Sequence, residues 1–278
     1  AAPDEADTHN LRGRARRMAG DGDGAKAARA RALELTPEHT EAKLALAGLL
    51  LDLGQYPEAD VLYAALTRSA RTAGGLSVMV AGRLGRVEAL IGLARLDDAQ
   101  VQFEQLQEAA RETPSARQTQ TRLLLAQGQA GQAIQRIRPL ATGEAPSAAV
   151  LALYGDALLA AAQVGPAGEA YAAAVADDVG SPEGLLGQAE VAVNAQNDRD
   201  AFEILDRARR VLERRIRPPA MQARMNVLYG RAYLLANRSE EARRAFEQAV
   251  EVPTAPPEAH FFLAEALRAA NDSGATAE

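Results

Sequence analysis

The stretch Gly54-Gln55-Tyr56-Pro57-Glu58-Ala59-Asp60-Val61-Leu62-Tyr63 decides how this chain is read: a turn glycine, a small residue, and a large residue four places later. Its alanine recurs as the series Ala25, Ala59, Ala99, Ala133, Ala167, Ala201 and Ala242, at spacings of 34, 40, 34, 34, 34 and 41 residues. Four residues on stand Tyr63, Phe103, Ile137, Tyr171, Leu205 and Phe246, and Arg29 alone breaks the rule. Residues four apart share one face of a helix, so each pair marks a helix with a close-contact point and a knob one turn later.

Other positions repeat in step. Counting Thr40 as position one, position eight is small or β-branched: Gly13, Ala47, Val87, Thr121, Gly155, Ala189, Gly230 and Ala264. Position eleven is Leu50, Leu90, Leu124, Leu158, Ala192, Tyr233 and Leu267 after a polar Arg16. Position fifteen holds turn residues, Gly20, Gly54, Gly128, Asn237 and Asn271, with Ala94, Ala162 and Gln196 less typical. Pro37, Pro114, Pro146, Pro182, Pro219 and Pro257 punctuate the joins. Each unit therefore reads as helix A, turn, helix B, turn, with starts near Ala6, Thr40, Val80, Pro114, Ala148, Pro182, Ala223 and Pro257.

This pattern resembles the tetratricopeptide repeat. The resemblance implies an all-α chain, an α-solenoid of about seven and a half helix-turn-helix units forming a right-handed superhelix. Residues 1–270 are expected to form a single array, and 271–278, with no apolar side chain larger than alanine, a disordered tail. The chain departs from the family at position four, where a bulky residue is usual and Lys43, Arg83, Arg117, Leu151, Leu185, Asn226 and His260 stand instead. The first unit is degenerate, with Arg12, Arg14, Arg16 and Arg17 making its first helix polar.

Composition narrows the function. A formal net charge of -6 argues against a basic nucleic-acid clamp, so no nucleic-acid partner is expected. The absence of cysteine excludes disulfides, thiolate metal sites and thiol nucleophiles. The three histidines, His9, His39 and His260, share no helix-face spacing, so neither metal nor cofactor is expected. No nucleophile-base pair or clustered acid pair is recognisable, so no catalytic residue is assigned and the chain reads as a non-enzyme. The longest apolar run, Leu44 to Leu51, is eight residues, too short to cross a bilayer, which points to a soluble chain without direct membrane insertion. An initial Ala1 fits either a removed leader or a segment of a longer protein, in the cytoplasm or the periplasm. The preference for arginine over lysine, which occurs only at Lys26 and Lys43, suggests a GC-rich bacterial genome.

Several local features carry their own expectations. Gly20 to Lys26 lacks both a phosphate-loop ending and calcium-ligand spacing, and reads as a turn with Asp23 capping helix B. Of the two insertions, the one around Arg71 to Val78 should lengthen a loop, and the one around Arg210 to Pro219 should add about two helical turns. On that longer helix Arg207, Arg210, Arg214 and Arg217 would form one stripe, open to an anionic partner or simply solvated beside Glu203, Asp206 and Glu213. Pro139 should shorten or bend helix B of the fourth unit.

The resemblance also implies a role: an adaptor or scaffold whose concave face, lined from helix A by positions two, five, nine, twelve and thirteen, holds a peptide or helix of a protein partner. The candidate binding residues are Leu44, Leu84, Leu186, Val227 and Phe261 at position five; Glu88, Arg122, Asp156, Glu190, Arg231 and Glu265 at position nine; and Asn194 at position thirteen. The apolar set is either a groove wall or ordinary core. As a groove it would suit an amphipathic segment bearing basic residues. The alternatives are a structural spacer in an envelope or secretion assembly and a regulatory segment of a longer protein.

Overall fold

The computed structural model describes residues 3–69, 75–252 and 257–275. Among them the secondary structure is entirely helical. Helix A of successive units is α1 (Pro3–Met18), α3 (Thr40–Asp52), α5 (Gly75–Gly92), α8 (Pro114–Ala126), α10 (Ala148–Ala160), α12 (Pro182–Asn194), α14 (Pro219–Leu235) and α16 (Pro257–Ala275). Helix B is α2 (Gly22–Leu35), α4 (Tyr56–Ser69), α6 (Leu96–Glu104), α9 (Ala130–Ala141), α11 (Val164–Asp177), α13 (Asp198–Leu212) and α15 (Ser239–Val250). A single extra turn, α7 (Glu108–Arg111), follows α6, and the Arg111 guanidinium donates to the carbonyls of Glu104 and Leu106 to close that corner. The chain divides into two compact units: Ala1–Leu140 with Arg214–Ile216, and Ala141–Glu213 with Arg217–Glu278.

Every A-to-B turn is built alike. Gly20, Gly54, Ala94, Gly128, Ala162, Gln196 and Asn237 all have positive φ, between 56° and 78°. The next residue then reaches back five places: Gln55 N–H donates to the Leu50 carbonyl at 2.8 Å, Gln163 to Leu158 at 2.9 Å and Arg238 to Tyr233 at 2.8 Å. This left-handed closure satisfies helix-end carbonyls, and it holds where the residue is alanine or glutamine as well as glycine. Asn271, at the same position of the last unit, lies instead within α16. That helix runs past its expected end near 270 to Ala275, and of the tail expected over 271–278 residues 276–278 lie outside the described residues.

Helix starts follow local chemistry. Thr113 and Ser181 cap α8 and α12 through their hydroxyls, each followed by a proline at the first helical position, where a missing N–H costs nothing. Asp21, not Asp23, caps α2: the helix begins one residue after Gly20–Asp21, and Asp21 accepts from the Gly24 amide at 2.8 Å. Pro139 lies inside α9, which ends two residues later at Ala141.

Both insertions differ from expectation. Residues 75–79 extend the start of α5 rather than a loop, with 70–74 outside the described residues. The second insertion does not prolong α13, which stops at Leu212; residues 213–218 are non-helical and Pro219 begins α14 one turn early. Pro218 disfavours helical backbone at Arg217, and Arg210 and Arg214 would repel each other at i, i+4 if the helix went on. Arg214 and Arg217 therefore leave the helix, the four-arginine stripe does not form, and Asp206 pairs with Arg209 at 3.2 Å.

The core is built from knobs set against small residues. Tyr171 on α11 is fully buried, and a Cβ added at Gly155 of α10 or Gly187 of α12 would stand 2.5 Å or 2.2 Å from its ring. The ring thus lies between two bare stretches of helix backbone, which is why glycine is required at both. Phe246 packs in the same way on Gly230, and Tyr63 on Gly85.

Candidate functional site

In the second unit α10, α12, α14 and α16 lie in sequence, each A helix touching the next. Their shared face forms a cleft of about 430 Å³ lined by Asp156, Leu159, Glu190, Arg224, Val227, Arg231, Glu258 and Phe262 among others. Side chains at 34-residue spacing come together here because stacking carries each unit's A helix alongside its predecessor.

The floor of the cleft is one ionic network. Arg224 donates to Asp156 Oδ1 at 3.1 Å and to Glu190 Oε2 at 2.8 Å, and each of the three side chains is about a third exposed or less. On the core side the Tyr171 hydroxyl donates to Asp156 Oδ1 at 2.8 Å, which ties the network to the buried knob. Burial opposes charge on Arg224, but Asp156 and Glu190 outweigh it and hold its pKa above the ordinary arginine value. For Tyr171 burial comes first and the Asp156 charge second, and both push the phenol pKa up, so the hydroxyl remains a donor. At the rim, Arg231 donates to Asn194 Oδ1 at 2.7 Å and sets its guanidinium 5.3 Å from the Phe262 ring centroid. Three carboxylates and two guanidiniums line the cleft, leaving one net negative charge.

The structure sorts the candidates from sequence. Asp156, Glu190, Val227 and Arg231 line this cleft, and Asn194 fixes Arg231. Leu186 is 1% exposed and packs with Leu185 and Leu228, so it is core rather than groove wall. Leu84 and Val227 are also buried, so position five is mostly helix-packing surface, leaving Leu44 half-buried and Phe261 59% exposed. In the first unit Glu88 accepts from Arg122 at 2.9 Å and from the Thr119 hydroxyl at 2.8 Å. Glu265 is exposed on α16, outside the cleft. Arg224, at position two of its unit, was not among the candidates; its spacing of 34 from Glu190 and 68 from Asp156 was the available signal. Among the described residues no group of three metal-ligating side chains occurs, and no helix is long and apolar enough to cross a membrane.

The tetratricopeptide repeat sequence pattern matches residues 16–74. No curated protein matches the sequence. Among solved structures, the APC/C hetero-tetramer Cut9-Hcn1 superposes with a TM-score of 0.71 at 15% identity, over 94% of this chain and 48% of that one, so this chain spans about half its length. A tetratricopeptide repeat protein from Parabacteroides merdae gives 0.58 at 13% identity, over 95% and 99%. A human IFIT1 dimer with m7Gppp-AAAA gives 0.61 at 15% identity, over 96% and 65%. At these identities the likeness is one of fold, and that fold is the tetratricopeptide solenoid. Residues 16–74 match the tetratricopeptide repeat, and over nearly all its length the chain has the fold of tetratricopeptide-repeat structures.

Proposed function

We propose that the chain is an interaction adaptor whose second unit holds a segment of a partner protein in the cleft between α10, α12, α14 and α16. The observation that carries this reading is the cleft itself: about 430 Å³, open along four consecutive A helices, with apolar Leu159, Val227 and Phe262 between charged groups. Apolar surface of this kind supplies affinity and the charges supply register. Because Arg224 is occupied by two carboxylates, the negative charge in excess, with Glu258 at the rim, favours a segment carrying a basic residue on its polar side. The same excess, with a net charge of -6, disfavours a polyanion, so the RNA-like ligand in the IFIT1 structure is not carried over to this chain.

The test is capture of partners by the whole chain, compared with Glu258→Arg and with Glu203→Arg, a control on the exposed side of α13. The cleft variant should lose the captured set and the control should keep it, both with unchanged helical circular dichroism. An identical set from both variants would rule out the cleft. Leu186→Glu does not serve here, because a charge at a buried core position tests folding rather than binding.

A further inference from the structure

A second cleft, on a different face of α14, opens between α13 and α15 and holds about 360 Å³. Three observations bear on what it takes. Asn226 lines it and is 8% exposed, and its amide makes no hydrogen bond among the described residues. A buried carboxamide offers two donors and an acceptor, and a peptide backbone, with one N–H and one C=O, matches it reciprocally.

Met225, Tyr229, Tyr233 and Ala245 supply apolar surface among polar and charged lining residues. Met225 and Ala245 form the floor; the Tyr229 hydroxyl is fixed on Asp206 at 2.7 Å, and the Tyr233 ring is covered by the Arg238 guanidinium at 4.7 Å from its centroid. Such a site has room for one large apolar side chain without rearrangement.

Two carboxylates and two guanidiniums line the cleft, but they are not all paired with one another. Asp206 is paired with Arg209, and Glu241 takes both Arg238 contacts, at 2.9 and 3.0 Å. Arg244 lines the same cleft, is exposed, and makes no hydrogen bond or ion pair of its own, acting on Glu241 only through space. With Asp206 held by Arg209 and Glu241 held by Arg238 from outside the cleft lining, Arg244 is the lining charge left without a direct partner where a ligand would enter.

We propose that this cleft is a second binding site, for a segment of a partner protein in which a large apolar side chain stands beside an acidic residue. The side chain fills the space over Met225 and Ala245, the backbone pairs with the Asn226 amide, and the carboxylate meets Arg244. The site is separate from the cleft on the A-helix face and opposite to it in charge preference.

Because the chain contains no tryptophan, a tryptophan in the probe reports binding alone. Blocked tripeptides Glu-Trp-Glu and Lys-Trp-Lys would be titrated with the full chain, following tryptophan emission. Glu-Trp-Glu should show a saturable blue shift that weakens about tenfold or more in Arg244→Glu and in Asn226→Phe, which fills the cleft. Glu258→Arg, in the other cleft, should leave it unchanged, so a failure here is distinguishable from failure of the adaptor reading. No saturable shift, equal binding of Lys-Trp-Lys, or unchanged binding by Arg244→Glu overturns the proposal. Should Asn226→Phe lose helical structure, Arg244→Glu, on an exposed position, decides alone.

Discussion

Tyr171 and Arg29 occupy the same position of their repeats and have opposite surroundings. The Tyr171 ring lies between Gly155 and Gly187 and its hydroxyl finds Asp156. Arg29 lies over Gly13, the counterpart of Gly155, and is only 2% exposed, yet its Nε and Nη1 have no hydrogen-bond partner. Burial first, then the Arg17 charge, lowers the Arg29 pKa, while Asp52 partly offsets them. The repeat dictates where a large side chain must go, and the chemistry of that side chain decides whether its slot strengthens the stack or strains it.

The contrast breaks most visibly at Tyr171. Tyr171→Ala should destabilise the second unit by about 4 kcal/mol, since it leaves a ring-sized cavity between two helices; a loss near 1 kcal/mol in a urea melt would mean the slot collapses. Gly187→Ala comes next. Alanine normally favours a helix by about 1 kcal/mol over glycine, but a Cβ 2.2 Å from the Tyr171 ring cannot be accommodated in place, so a net loss of about 2 kcal/mol is expected. Gly165→Ala, with open space around it, should show no such loss.

Arg29→Leu should go the other way, raising the melting temperature by the equivalent of about 2 kcal/mol, because an apolar side chain of the kind found at Leu205 replaces an incompletely bonded buried cation. Smaller again is Ala94→Gly, which should stabilise by about 1 kcal/mol by relieving a left-handed alanine, whereas Gly54→Ala should cost a similar amount.

A further effect is on pH dependence. Burial, then Asp52 and Glu88, push the Tyr63 phenol from 10.0 up to about 12. A raised folded-state value means the folded chain keeps a proton that the unfolded chain gives up. The stabilisation is therefore fully present below the unfolded value and is lost as pH rises through the folded one. Tyr63→Phe should make the fall in stability between about pH 10 and 12 shallower; an identical slope would show that Tyr63 titrates normally.

Much of this was legible in the sequence because the repeat is written in side-chain size. The alanine and knob positions and seven A-to-B turns, including those at the atypical Ala94, Ala162 and Gln196, fall where the periodicity places them, whereas Asn271, placed by the same rule, lies within α16. The insertions were less legible: the reading from Arg210 to Pro219 weighed helix breakers but not the Arg210–Arg214 repulsion. The groove was half legible. Asp156, Glu190 and Arg231 of position nine and Leu159 of position twelve line the cleft, while Leu84, Leu186 and Val227 of position five are buried by packing that a linear pattern does not display. Arg224 was missed for the same reason: that position two of one helix faces position nine of the helices before it is a property of the stack.

Residue-level amide hydrogen exchange comparing α2 with α11, the helices that carry the two knobs, tests most directly the claim that the knob sets the strength of its repeat. The account predicts that α2 exchanges through a low-energy local opening while α11 exchanges only with unfolding of its whole unit, and that Arg29→Leu slows α2 and leaves α11 unchanged. Equal protection of the two helices in the native chain, or an α2 indifferent to Arg29→Leu, would contradict it.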